Sequence, residues 1–303
     1  MKFVLPVILM CTGMVATAQH ANPKKAAVYY TLTDALKDRE ATQLNLRDKQ
    51  LFTLNDSIER LEHLRFLNLM GNNLEAWDES LFRLRKLEDL ILRQNKLREL
   101  PEQVSLLHHL VQLDITGNTI ARIPKGIGRL SKLRFLHAAM NVISSLDASI
   151  GDCRSLEVLA FQFNQLSYLP ASIVHLKKLR VLNLGYNQFN EFDPAWLELE
   201  NLQELNVEYN FFRRLPDAVE RLGNLRTLIL THNRLDSLPE TLTSLQHLEL
   251  LVVSENNLTK LPAHIDRLQH LKTLIALNNP LSKEEKERIR KALPGCQVYV
   301  DKD

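Results

Sequence analysis

From Leu64 onward the apolar residues of this chain fall in a fixed frame. Leu64, Leu67, Leu69, Asn72 and Leu74 make the pattern LxxLxLxxNxL, and Leu87, Leu90, Leu92, Asn95 and Leu97 repeat it 23 residues later. The asparagine continues at the same spacing through Asn118, Asn141, Asn164, Asn187, Asn210, Asn233, Asn256 and Asn279, ten in all. A degenerate unit precedes them, with Leu44, Leu46, Leu51 and Leu54 in frame and Lys49 in the asparagine slot. Units therefore begin at residues 41, 64, 87, 110, 133, 156, 179, 202, 225, 248 and 271, the last one truncated. A period of this length marks an architecture in which each unit covers the apolar face of its neighbour.

Within a unit, LxLxL-type alternation predicts a short strand whose leucines point inward. The asparagine then turns the chain. Its amide both donates and accepts, so stacked asparagines can satisfy the backbone of adjacent turns. The second half of the unit carries its own apolar frame, as in Leu100-Pro101 leading to Val104 and Leu107, or Leu169-Pro170 leading to Ile173 and Leu176. Four units place Asn55, Asp78, Asp147 or Asp193 where the proline would stand, and such residues also begin turns. Strands about 4.8 Å apart give eleven units a span on the order of 50 Å.

This unit resembles the 23-residue LPxxIxxLxx form of the leucine-rich-repeat family, found in Ras-group-related and bacterial members; the resemblance covers 41–281. It implies an α/β solenoid, a curved horseshoe with a parallel β-sheet on its concave face and an irregular or helical convex side. It also implies a non-catalytic, protein-binding module. Caps are expected at both ends. Residues 19–40 form a linker and cap, with a short helix near Leu32 that Thr31 begins and Asp34 supports. Residues 282–303 form the other cap, with a capping box at Ser282–Glu285, a helix stopped by Pro294-Gly295, and a last strand from Gln297.

Residues 1–18 read as a signal peptide: Lys2, the apolar run Phe3 to Met10, then Ala16-Thr17-Ala18 as the cleavage site. The apolar run is too short for a bilayer, which needs about 20 residues, and the mature chain has no other candidate span. The expected location is periplasm, cell surface or medium. Net charge of +2, without a lysine or arginine block, argues against nucleic acid as partner.

Chemistry-bearing motifs are missing: no GxSxG, HExxH, Walker loop or CxxC occurs. Gly126-x-Gly128 is not a phosphate loop; Gly128 reads as a variable convex position. Cys153 fills a slot held by leucine in other units and is expected to be buried; Cys296 lies in the distant cap, too far to pair with it. His247 and His270 share one phase in adjacent units, yet without a carboxylate or thiolate they make a poor metal site. No enzyme, cofactor or metal is expected.

The outward residues at the third, fifth and seventh positions of each unit should line the concave face, and the eighth should flank it. The eighth position carries Met140, Phe163, Tyr186, Tyr209 and His232 in succession, a ladder of large residues along one rim. It serves either as a self-stacked stabiliser or as an aromatic hot-spot stripe. Ring faces also suit sugars, which keeps a glycan or peptidoglycan partner open as the alternative. A second candidate is the apolar set Thr227, Ile229, Leu250, Val252, Ile275 and Leu277 near the C-terminal end. Between the two lie the acidic Glu204 and Glu208 around Asn206.

Overall fold

The computed structural model describes residues 21–22 and 26–302. The signal-peptide reading falls outside the described residues. The repeat frame is realised as a curved solenoid. Its main sheet has thirteen strands, all parallel. In chain order these are β1 (Val28–Tyr29), β2 (Gln43–Asn45), β3 (Phe66–Asn68), β4 (Asp89–Ile91), β5 (Gln112–Asp114), β7 (Phe135–His137), β9 (Val158–Ala160), β10 (Val181–Asn183), β11 (Glu204–Asn206), β12 (Thr227–Ile229), β13 (Leu250–Val252), β14 (Thr273–Ile275) and β15 (Gln297–Tyr299). Two short strands, β6 (Arg122–Ile123) and β8 (Ser145–Leu146), pair with each other apart from the main sheet.

Register follows the period. Leu182 pairs with Leu205, Leu205 with Leu228, and Leu228 with Leu251, each 23 residues on. The strand covers the third to fifth positions of the unit, with the fourth-position leucine buried. The first- and sixth-position residues join it in one continuous core running the length of the molecule. No unit could bury this surface alone, so stacking is what makes the fold.

The asparagines work as their chemistry predicts. Asn187 Nδ2 donates to Leu184 O in its own unit (3.1 Å) and to Phe161 O in the unit before (2.9 Å). Its Oδ1 accepts from Leu166 N at 2.9 Å. The same three bonds recur at Asn72, Asn95, Asn118, Asn141, Asn164, Asn210, Asn233, Asn256 and Asn279. All ten are buried, where an unmade bond would be costly.

The convex side is built of 3-10 turns, such as Glu102–Leu106 and Ala171–His175. Units with proline before the turn have no side-chain cap there. Where Asn55, Asp78, Asp147 or Asp193 replaces it, the side chain accepts from the backbone N–H two residues on. The two solutions are equivalent ways of starting the turn, one by fixing φ and one by capping. Gly128 is not a variable position, contrary to the sequence reading, and neither is Gly126. A Cβ on Gly128 would lie 2.7 Å from both Cβ and O of Ser149, and one on Gly126 would collide with Glu102 O. Adjacent convex turns approach too closely there for a side chain.

Both expected caps are present. Helix α1 (Leu32–Ala35) starts at Thr31, whose hydroxyl accepts from Asp34 N. Helix α2 (Lys283–Ala292) starts at Ser282, whose hydroxyl accepts from Glu285 N. Glu285 is buried and ties α2 to the last full unit: its Oε1 accepts from Leu261 N at 2.8 Å and from Arg288 Nη2 at 2.7 Å. The Arg288 guanidinium holds the Glu285 carboxyl below its usual range.

Candidate functional site

The eighth position of every unit sits at the end of the strand, where the chain must reverse before the asparagine. All eleven residues of this column have positive φ: Asp48, Gly71, Gln94, Gly117, Met140, Phe163, Tyr186, Tyr209, His232, Glu255 and Asn278, with φ from 50° to 70°. This left-handed region suits glycine and tolerates asparagine or aspartate; a β-carbon there costs about 1–2 kcal/mol. Four consecutive rings nevertheless occupy it.

Their geometry shows what offsets the cost. Phe163 and Tyr186 stack with centroids 4.0 Å apart, Tyr186 and Tyr209 at 4.1 Å, and Tyr209 and His232 at 4.2 Å, all within 17° of parallel. The stack ends on a hydrogen-bond contact between His232 Nδ1 and Glu255 Oε2 at 2.9 Å. Burial, then a hydrogen bond with Tyr209, hold the Tyr186 phenol above its usual range. Met140 precedes the rings and is 58% exposed. The inner rings, Tyr186 and Tyr209, are stacked on both faces, while Phe163 at the head of the ladder stacks on Tyr186 alone and is 45% exposed.

The second candidate lies on the sheet itself. Ile229 pairs with Val252, and Val252 with Ile275, so three apolar side chains stand in register across β12, β13 and β14. Ile229 and Val252 are half-buried, while Ile275 is buried. Leu250 and Leu277 flank the column and are half-buried, as is Thr227. The column continues into the cap. Tyr299 of β15 pairs with Ile275 and is 48% exposed. Sequence reasoning missed Tyr299, because it lies beyond the repeat frame and its register depends on how β15 docks.

Next to this column, β11 carries Glu204 and Asn206, with Glu208 two residues further on. Both carboxylates are half-buried, and burial pushes both above the usual carboxylate range. Asn206 Nδ2 donates to Glu208 Oε1 at 3.1 Å, and Asn206 Oδ1 accepts from Glu208 N at 2.9 Å.

Cys153 is buried, its thiol pushed up to about 12 by burial, and it packs as the leucine it replaces. Cys153 and Cys296 are both unbridged. The His247 and His270 rings lie 6.5 Å apart, and no group of three or more metal-ligating side chains occurs among the described residues.

Comparison with known proteins agrees with the geometry. A profile described as leucine-rich repeat region matches residues 44–137 and 124–228, and a leucine rich repeat profile matches 223–281. The chain belongs to the leucine-rich-repeat family. No curated protein matches the sequence. Among solved structures, an internalin (inlF) from Listeria monocytogenes is 19% identical, with TM-score 0.67, over 85% of this chain and 81% of that one. The leucine-rich-repeat chain FLRT2, in an octameric complex with latrophilin 3 and Unc5D, is 21% identical with TM-score 0.73, over 87% and 84%. The Arabidopsis receptor kinase HAESA, in complex with the peptide hormone IDA and the co-receptor SERK1, is 25% identical with TM-score 0.69, over 79% of this chain but only 42% of that one. No helix among the described residues is long and apolar enough to cross a membrane.

Proposed function

We propose that this protein is a non-catalytic recognition module that docks a protein partner on the C-terminal half of its concave face, and that it acts after export from the cytoplasm. The observation that carries the reading is the in-register column Ile229–Val252–Ile275–Tyr299 on an open parallel sheet. A rigid sheet presenting Ile229, Val252 and Tyr299 around the buried Ile275, flanked by the half-buried Leu250 and Leu277, has the composition of an interface core. That FLRT2 and HAESA are found in complexes with other proteins or a peptide hormone is consistent with this use of the fold. The aromatic ladder, in this reading, stiffens the rim beside the docking face.

The test is affinity capture from envelope extract and culture medium with three folded baits: the mature chain, Ile229→Ser with Val252→Ser, and Phe163→Ala with Tyr186→Ala and Tyr209→Ala. Loss of a partner on the first variant and retention on the second is the expected result. The reverse pattern moves the site to the rim, and retention on both removes the concave reading. Export is checked separately, by sequencing the amino terminus of the processed protein, which should begin near Gln19.

A further inference from the structure

We propose that the segment held on this face is an extended peptide with one basic side chain seated over Asn206, between Glu204 and Glu208, and an apolar side chain three or four residues away seated on the Ile229–Val252–Ile275 column. The inference rests on the docking reading above and specifies its chemistry.

Charge pairing sets these two carboxylates apart. On the flank of the solenoid, acidic side chains have basic partners one unit away: Glu88 with Arg65, Glu157 with Arg134, and Glu249 with both Arg226 and Lys272. Among the described residues neither Glu204 nor Glu208 makes an ion pair, although both are half-buried. The charge of Arg180 offsets only part of the desolvation of Glu204, and the Asn206 amide only part of that of Glu208; carboxylates left so are unfavourable in the free protein, and an incoming cation relieves them.

The packing of Glu208 points the same way. Gly185 occupies the seventh position of its unit, where Met70, Arg93, Thr116 and Gln162 stand in other units. Its φ is not among the positive ones, so the backbone does not require glycine. A Cβ there would lie 3.0 Å from Glu208 Cγ and 3.5 Å from Asn206 Oδ1. The Glu208 side chain therefore lies where a side chain at 185 would stand, and the glycine is what lets it lie there. A metal ion does not fit the arrangement. Glu204 and Glu208 belong to no group of three or more metal-ligating side chains among the described residues, whereas a guanidinium seated over Asn206 has several donors to offer the carboxylates on either side.

Strand spacing supplies the peptide's register. From β11 to β13 is two steps of about 4.8 Å, and to β14 three, so roughly 10 to 14 Å. An extended peptide advances about 3.1–3.3 Å per residue, so a basic side chain at β11 places its third or fourth neighbour over Val252 or Ile275.

A displayed library of random twelve-residue peptides tests this, selected in parallel on the mature protein, on Glu204→Gln with Glu208→Gln, and on Ile229→Ser with Val252→Ser, each checked for folding by circular dichroism. On the unaltered protein, Arg or Lys three or four residues from a large apolar residue should be enriched at least tenfold over the input. On the Gln variant the basic position should fall to input frequency while the apolar one persists; on the Ser variant both should vanish. Binders that require Ile229 and Val252 but carry no basic position, or a basic position that survives the Gln variant, overturn this inference and leave the docking reading standing. A selection in which no peptide depends on any concave substitution overturns both.

Discussion

Replacing Tyr186 by alanine and by glycine separates the two forces acting on the aromatic ladder. Tyr186 is stacked on both faces, by Phe163 at 4.0 Å and Tyr209 at 4.1 Å. Each aromatic pair contributes about 0.5–1.5 kcal/mol beyond area burial, so either substitution should cost at least about 1–3 kcal/mol. The two variants differ in the backbone. With φ at 55°, alanine keeps a β-carbon in the left-handed region, at about 1–2 kcal/mol. Glycine removes that cost but loses about 0.4–1 kcal/mol through the greater freedom of its unfolded chain. Glycine should therefore be the more stable of the two by roughly 0.5–1 kcal/mol. Ser167, exposed and without a positive φ, serves as the control; there alanine should be the more stable. Urea unfolding followed by circular dichroism reads both comparisons. If alanine at 186 is as stable as glycine, the backbone is not strained at this column and the account of the ladder as strain offset by stacking is wrong.

Other consequences are as direct. Asn187→Ala leaves Phe161 O, Leu184 O and Leu166 N without their partner in a buried site, which should cost about 3 kcal/mol or more, seen as a lower unfolding midpoint. Glu285→Ala should cost about 1–3 kcal/mol and detach α2, visible as faster amide exchange in 283–300. Because Arg288 lowers the Glu285 carboxyl in the folded state, that contribution is present above the usual carboxylate range and is lost as pH falls below it, so the Ala and unaltered proteins should converge in acid. Glu204 and Glu208 behave oppositely. Their carboxyls are raised on folding, so they oppose stability once pH rises through their folded values. Glu204→Gln with Glu208→Gln should raise the melting temperature at pH 7 and leave it unchanged near pH 3. A melting temperature that falls at pH 7 contradicts burial as the cause.

Much of the fold is legible because the period is strict. One frame of leucines and asparagines fixes the unit, its strand, its register and its core, and the structure places Leu182, Leu205 and Leu228 opposite one another at that spacing. The capping boxes at Thr31 and Ser282 are local signals that read correctly. The left-handed column was legible too, although periodicity alone did not show it. Gly71, Gly117, Asn278 and Asp48 in the same slot as Tyr186 are residue types that positive φ selects, and that signal outweighs the chemistry of the rings. Two features were out of reach. Tyr299 joins the apolar column only through the pairing of β15 with β14, which no repeat encodes. Gly126 and Gly128 look dispensable until the approach of neighbouring convex turns is known.

In a periodic protein, evidence of function lies where a residue departs from the period without the fold requiring it. The ladder fails that criterion in part, since stacking repays a backbone cost that every unit carries. Gly185 meets it: seventh-position residues vary freely, its φ does not demand glycine, and its missing side chain makes way for that of Glu208. Glu204 and Glu208 meet it more strongly, because burial outweighs the charge of Arg180 at the first and the Asn206 hydrogen bond at the second and makes both unfavourable for folding. Residues that weaken the free molecule at an open surface, next to an apolar column in register, are accounted for by a partner that supplies the missing charge. Displacing Glu208 provides the sharpest test of this. Gly185→Ala should leave thermal stability within about 1 kcal/mol, since Glu208 is the flexible side chain that must yield. It should nonetheless weaken the basic-residue preference of selected peptides; an unchanged preference would mean that the placement of the Glu208 carboxylate plays no part in recognition.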